Sequence, residues 1–193
     1  MKQQARQDGR VARRITAMRR VQDVAMRLFA RRGFDAVTVE DVARSARVGA
    51  ASIFRNFGTK ENLVLWDEYD PLLLEGLAAH LETKRPLAAL TAAVGEALAS
   101  FYDGERRRLL ARTDLALRTP AVATASRANV QRLRVELART LRPHVKDDFE
   151  REVVCAVFTT ALEVAIERWR RERARRSLAT VLGEALRHVA RLG

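Results

Sequence analysis

A single cysteine, Cys155, serves all 193 residues, so no disulfide can form within the chain. It stands in the apolar run Val153 to Phe158, which reads as a small buried apolar side chain rather than a sensor thiol. Prolines number only four and glycines nine, so helices can run long without interruption. Nowhere do β-branched and aromatic residues alternate for long enough to make a half-buried strand. No apolar stretch approaches the ~20 residues of a membrane span. The basic N-terminus lacks the apolar segment of a signal peptide. These absences predict a cytoplasmic protein with no membrane partner. The histidines His80, His144 and His188 lie far apart in different predicted helices. No metal-ligand spacing, nucleophile–base pair or glycine-rich phosphate loop accompanies them. The expectation is a protein without catalytic residues, metal or cofactor.

What is present is helix-forming and basic. Apolar residues make up 48% and charged residues 31% of the chain, with Ala, Leu, Arg and Glu dominant. That balance suits a soluble all-α fold. The net charge is +12, and it is unevenly spread. Residues 1–60 hold 14 basic and 5 acidic side chains, a net of +9, whereas the other 133 residues net only +3. Most of the basic residues are Arg, a compositional bias. Bias explains the choice of Arg over Lys but not the scarcity of acids before residue 60. A basic first third on a nearly balanced remainder is the footprint of a nucleic-acid-binding domain.

Residues 1–15 are polar, with Lys2, Arg6, Arg10, Arg13 and Arg14, and read as a flexible basic arm able to add phosphate or minor-groove contacts. Helix 1 is expected from Thr16, as N-cap, to Arg32. Val21, Ala25, Leu28 and Phe29 make its apolar face, and Gly33 closes it. Helix 2 starts after Thr38, with Asp41 completing a variant capping box, and buries Val39, Val42, Ala43 and Ala46. The turn Arg47-Val48-Gly49 follows, where Gly49 either takes positive φ or caps the next helix. Helix 3, about Ala50 to Phe57, is anchored by Ile53 and Phe57. Ala50, Ala51, Ser52, Phe54, Arg55 and Asn56 are left on its outer side. Two short helices about a tight turn, with basic and small polar residues outward, form a helix-turn-helix pattern.

Thr59 is expected to cap helix 4, which carries Leu63, Trp66 and Tyr69. Further helices begin near Asp70-Pro71, Pro86, Glu105 and Pro120. The last two span about 147–173, with apolar residues on more than one face, and 177–192, with a continuous apolar stripe of Leu178, Val181, Leu182, Ala185, Leu186, Val189 and Leu192. Such helices need cover on several sides, and a second subunit is a natural cover. The sequence thus predicts nine or ten helices in three parts: an arm at 1–15, a DNA-binding domain at 16–60, and an all-helical body at 61–193 that serves dimerisation. An architectural DNA-binding protein would share the charge but would not need so large an apolar body.

The head resembles the TetR family of bacterial transcriptional regulators. The resemblance rests on Arg32-Gly33-Phe34, then Thr38-Val39-Glu40-Asp41-Val42-Ala43 and Val48. Ser52-Ile53-Phe54-Arg55-Asn56-Phe57 and Thr59-Lys60-Glu61-Asn62-Leu63 complete it. Three departures stand out. Phe54 replaces the usual Tyr and loses a phosphate-bonding hydroxyl. Asn56 replaces the commoner His or Tyr. Gly49 and Ala50 replace Ser and a longer side chain. The stretch 66–71 and the surroundings of Trp169 also look like actinobacterial regulators of the mycofactocin type.

The resemblance implies a homodimer reading a roughly palindromic double-stranded operator, with a small-molecule effector releasing it; activation instead of repression stays open. It implies DNA contacts from Thr38, Val39, Arg44, Gly49, Ala50, Ala51, Ser52, Phe54, Arg55, Asn56 and Lys60. Arg55 is the candidate for a guanine edge. Thr38 and Lys60 suit phosphates. The effector, apolar or resembling an acyl-CoA, is expected among Leu98, Phe101, Tyr102, Leu117, Phe158 and Leu162. The arginines 106–108, 112 and 118 are either an anion site or a solvated face. Val154, Phe158, Leu178, Leu182, Leu186 and Val189 are expected at the dimer interface.

Overall fold

The computed structural model describes the backbone of residues 2–67, 70–99 and 102–191; the side chains of 2–9, 11, 70–72, 98, 99 and 102–104 lie outside the description. The described residues form ten helices and no strand. In order these are α1 Lys2–Arg32, α2 Val39–Ala46, α3 Ala50–Phe57, α4 Asn62–Leu65, α5 Asp70–Leu81, α6 Pro86–Ala99, α7 Tyr102–Arg118, α8 Pro120–Leu141, α9 Asp148–Arg171 and α10 Leu178–Ala190. The chain divides into a head, Met1–Trp66 with Leu115–Ala125, and a body, Asp67–Asp114 with Ser126–Gly193.

In the head, α1 begins at Lys2, well before the expected start at Thr16, so the segment read as an arm is helical. Missing apolar periodicity argued only that this segment packs against little. Its Gln, Ala and Arg are good helix formers, and no proline precedes residue 71. Thr16 is therefore not an N-cap, and its Oγ1 donates back to the Ala12 carbonyl at 2.9 Å. Val21, Ala25 and Phe29 of α1 bury against Phe34, Val37, Val42, Ala46, Ile53 and Phe57. The Phe29 and Phe34 rings pack at 4.9 Å. Gln22 is fully buried, and its Nε2 donates to the Trp66 carbonyl at 3.0 Å, which satisfies a polar group that would otherwise be costly inside. Val122 is also fully buried in this core, so the head includes a stretch of α8 that no sequence boundary anticipated.

In the body, Asp147 and Ser177 cap α9 and α10 by accepting from the backbone N–H groups of Glu150 and Thr180. Leu73, Leu77, Leu90, Leu137, Leu141, Phe158, Trp169 and Leu182 make the centre of the core. The Trp169 indole Nε1 donates to the Arg176 carbonyl at 3.0 Å and fixes the turn between the two helices. Two salt-linked arginines brace the same corner: Arg168 and Arg176 both pair with Glu172 and Glu184.

Candidate nucleic-acid interface

The turn between α2 and α3 is built by Arg47 rather than by Gly49. Arg47 adopts φ 56° and ψ 48°, the left-handed conformation that ends α2. Gly49 has φ −75° and is the N-cap of α3, one of the two roles open to it from sequence. Nothing lies within 4 Å of where its Cβ would be. The α3 exit uses Gly58 at φ 76°, and the Asn62 amide donates to the Phe57 carbonyl at 2.7 Å, a helix-end contact that sequence reading missed.

Ile53 and Phe57 are buried as expected. Ala51, Phe54 and Arg55 are exposed, while Ala50, Ser52 and Asn56 are half-buried. Phe54, 48% exposed, and Val48 in the turn set apolar surface beside Arg55. Arg55 has no hydrogen-bond or ion-pair partner among the described residues. Asn56 is engaged internally: its Nδ2 donates to the Ser52 carbonyl at 2.8 Å, and its Oδ1 accepts from Arg14 Nε at 3.2 Å.

At the start of α2 the capping box is complete. Thr38 Oγ1 accepts from the Asp41 N–H at 3.1 Å, and Asp41 Oδ2 accepts from the Thr38 N–H at 3.3 Å. The Thr38 hydroxyl proton is left free to donate outward. The backbone N–H of Thr38, reinforced by Arg32 and Arg44, holds the Asp41 carboxyl below the usual carboxylate range. Arg44 is well exposed but shares its charge with Asp41 at 3.3 Å. Lys60 lies with its Nζ 4.2 Å from the Phe34 ring centroid, a cation–π contact that steadies a half-buried ammonium. Val39 is a correction. Its side chain belongs to the head core, so its only outward group is its backbone N–H at the start of α2.

Thr38, Ser52, Arg55 and Lys60 thus stand on or around one helix-turn-helix. Residues 22–65 match the bacterial regulatory proteins of the tetR family, and residues 84–192, more than half the chain, match the MftR C-terminal domain. The chain belongs to the TetR family. As a TetR-family regulator it is 32% identical to the putative mycofactocin biosynthesis transcriptional regulator MftR of Mycobacterium tuberculosis (strain ATCC 25618 / H37Rv), over 59% of this chain. That match spans only 58% of the mycobacterial protein's length. It is 27% identical to the HTH-type transcriptional regulator TcmR of Streptomyces glaucescens, over 75% of this chain and 69% of that protein. Among solved structures it resembles Thermus thermophilus FadR, a TetR-family transcriptional repressor captured with lauroyl-CoA. There the identity is 25%, the TM-score 0.51, and the coverage 88% of this chain and 91% of that one.

The body residues fall differently from expectation. Phe101 lies outside the described residues, as do the side chains of Leu98 and Tyr102. Leu117 is half exposed and belongs to the head unit. Phe158 is fully buried in the body core, with Leu162 packed against it. Among the described residues, Phe158 and Leu162 therefore belong to the body core. Arg112 is buried, with its guanidinium 3.8 Å from Asp67, and Arg108 pairs with Glu105 at 2.8 Å, whereas Arg106, Arg107 and Arg118 are exposed.

The interface residues need a similar correction. Phe158, Leu182 and Leu186 are buried within the protomer, and Val154 and Leu178 pack partly against the same core. Of the six, Val189 is exposed, at 37%. It lines an open groove of about 480 Å³ between α9 and α10, with Ala156, Val157, Val164, Val181 and Ala185. Five of the six expected residues thus face the protomer's own core wholly or in part, while Val189 lies in the open groove with residues outside that set.

Proposed function

We propose that this TetR-family regulator is a ligand-responsive, sequence-specific repressor that binds a near-palindromic operator as a homodimer. The observation that carries the reading is Arg55, exposed and unpaired on the outer side of α3. Its fork suits guanine O6 and N7 in the major groove. Ala50 and Ala51 allow close approach or contact a thymine methyl, and Ser52 and Phe54 flank them. Thr38, Arg44 and Lys60, with the N-terminal N–H groups of α2, hold phosphates and set the register. The two-fold of a dimer matches the two-fold of the site. The open α9–α10 groove, nearly all apolar in its lining, is the face we assign to the second copy.

The effector acts by binding the operator-incompetent conformation better than the competent one. The match of residues 84–192 to the MftR C-terminal domain supports a regulator of the mycofactocin type. Likeness to a FadR captured with lauroyl-CoA supports an acyl-CoA-like effector. The test is binding to an operator selected from random DNA. At least ~10³-fold preference over unselected duplex is expected. Arg55→Ala should cost about 1–3 kcal/mol and relax one operator position. Equal affinity for every duplex would overturn the specific-regulator reading, and an equal loss on all sequences would reduce Arg55 to a phosphate contact.

A further inference from the structure

We infer that Arg14, on α1, is an additional DNA-phosphate contact, and that Asn56, on α3, is the positioning residue that holds it at the edge of the recognition surface. The inference rests on the DNA-binding reading above. Sequence reading places Asn56 as a DNA contact and the basic N-terminus as a flexible arm able to add phosphate contacts. The geometry instead engages Asn56 internally and carries Arg14 on a helix against it.

An asparagine reads adenine with its carbonyl and amide together. Both groups of Asn56 are already used. Nδ2 donates to the Ser52 carbonyl at 2.8 Å, one turn back on the same helix, and Oδ1 accepts from Arg14 Nε at 3.2 Å. The side chain is half-buried, so turning it outward would break both bonds. Arg14 is in the opposite situation. It is exposed, and Nε is its one engaged group among the described residues. The two terminal NH₂ groups keep four N–H donors in the planar fork that matches a phosphate. One edge of the guanidinium is pinned beside α3 and the other is presented outward. An arginine gives up much of its rotamer freedom when ordered. Here Asn56 imposes that order before any ligand arrives.

Position along α1 adds to the argument. Residue 14 lies within the helix Lys2–Arg32. Arg10 is one turn earlier on the same side, at i,i+4, and is exposed. Residues 1–20 carry Lys2 and six arginines against the single acid Asp8. Arg14 and Arg10, both exposed, therefore add cations on α1 to the surface of α3 that carries Arg55.

The experiment is a salt titration of full-length protein on a 30-base-pair duplex of random sequence, read by fluorescence anisotropy. It compares wild type, Arg14→Gln, Asn56→Ala, the double variant and Arg55→Ala. Removing one phosphate-binding cation lowers the slope of log K against log salt by about 0.9. Arg14→Gln is expected to lower it by about one per head engaged. Asn56→Ala should lower it by a smaller amount at an unchanged denaturation midpoint. The double variant should fall no further than Arg14→Gln, because Asn56 acts through Arg14. An unchanged slope in Arg14→Gln overturns the contact. Additive effects in the double variant, or a drop in stability in Asn56→Ala with no slope change, overturn the positioning role. A wild type without salt-dependent binding, or one for which Arg55→Ala changes nothing on a selected operator, is the separate failure of the DNA-binding reading itself.

Discussion

Val164 is 57% exposed in the protomer, on the α9 side of the open groove that also carries Val189. Burying a whole valine side chain contributes about 1.5–3 kcal/mol. The part still exposed is therefore worth about 1–2 kcal/mol per protomer, and a two-fold interface counts it twice. Val164→Glu forfeits that, and it asks the interface to desolvate two added carboxylates. The apolar loss alone, about 2–4 kcal/mol, weakens association roughly 30- to 700-fold. The protomer should tolerate the change. The introduced carboxylate stays in water, and it stands four residues before Arg168, the favourable order for an i,i+4 pair. Sedimentation velocity from nanomolar to micromolar concentration reads the result, with far-UV circular dichroism as the check on folding. A folded monomer at concentrations where the wild type is dimeric is the expected outcome. A folded variant that dimerises as tightly as the wild type would show that this groove is not the interface.

Phe158→Ala should behave differently. The ring is fully buried, so its loss should cost about 3–5 kcal/mol of body stability by urea denaturation; a variant of wild-type stability that merely dissociates would restore Phe158 to the interface. Thr38→Ala removes the acceptor for the Asp41 N–H and should destabilise the head by about 1 kcal/mol; an unchanged unfolding midpoint would mean that the capping box contributes nothing. Asp41 supplies a pH signature. Its carboxyl is held below the usual range in the folded head, so its contribution is complete above the unfolded value of about 4 and lost as pH falls through the folded one. The stability gap between wild type and Asp41→Asn should hold steady through neutral pH and close below about pH 4, and a gap that persists at pH 2 would refute the linkage.

The head was the more legible half. Thr38 with Asp41, the closing Gly33, and Ile53 with Phe57 all follow from local rules of capping and periodicity, and each is found where those rules put it. The misreadings have definite causes. Thr16 looks like a cap because Ser and Thr favour helix starts, yet nothing upstream stops the helix. Of the two roles open to Gly49, positive φ or N-cap, it takes the N-cap, and Arg47 supplies the positive φ that glycine adopts more easily. In the body, Phe158, Leu182 and Leu186 show the limit of periodicity. On a helix with apolar residues nearly all round, period alone does not say which side faces its own core.

By itself the sequence determined what depends on neighbours along the chain. Few breakers and helical periodicity made the fold all-α, capping chemistry placed the start of α2, and the excess of arginine over acid marked the basic end that carries the helix-turn-helix. Tertiary structure decided what depends on partners far apart. It brought Arg14 to Asn56 across 42 positions, put Val122 into the head core, and turned Val164 and Val189 outward while turning Phe158 inward. The physical reason is that capping and helix propensity act over three or four residues. Which face of a helix is dry, and which arginine keeps a free edge, is settled only once distant segments have packed.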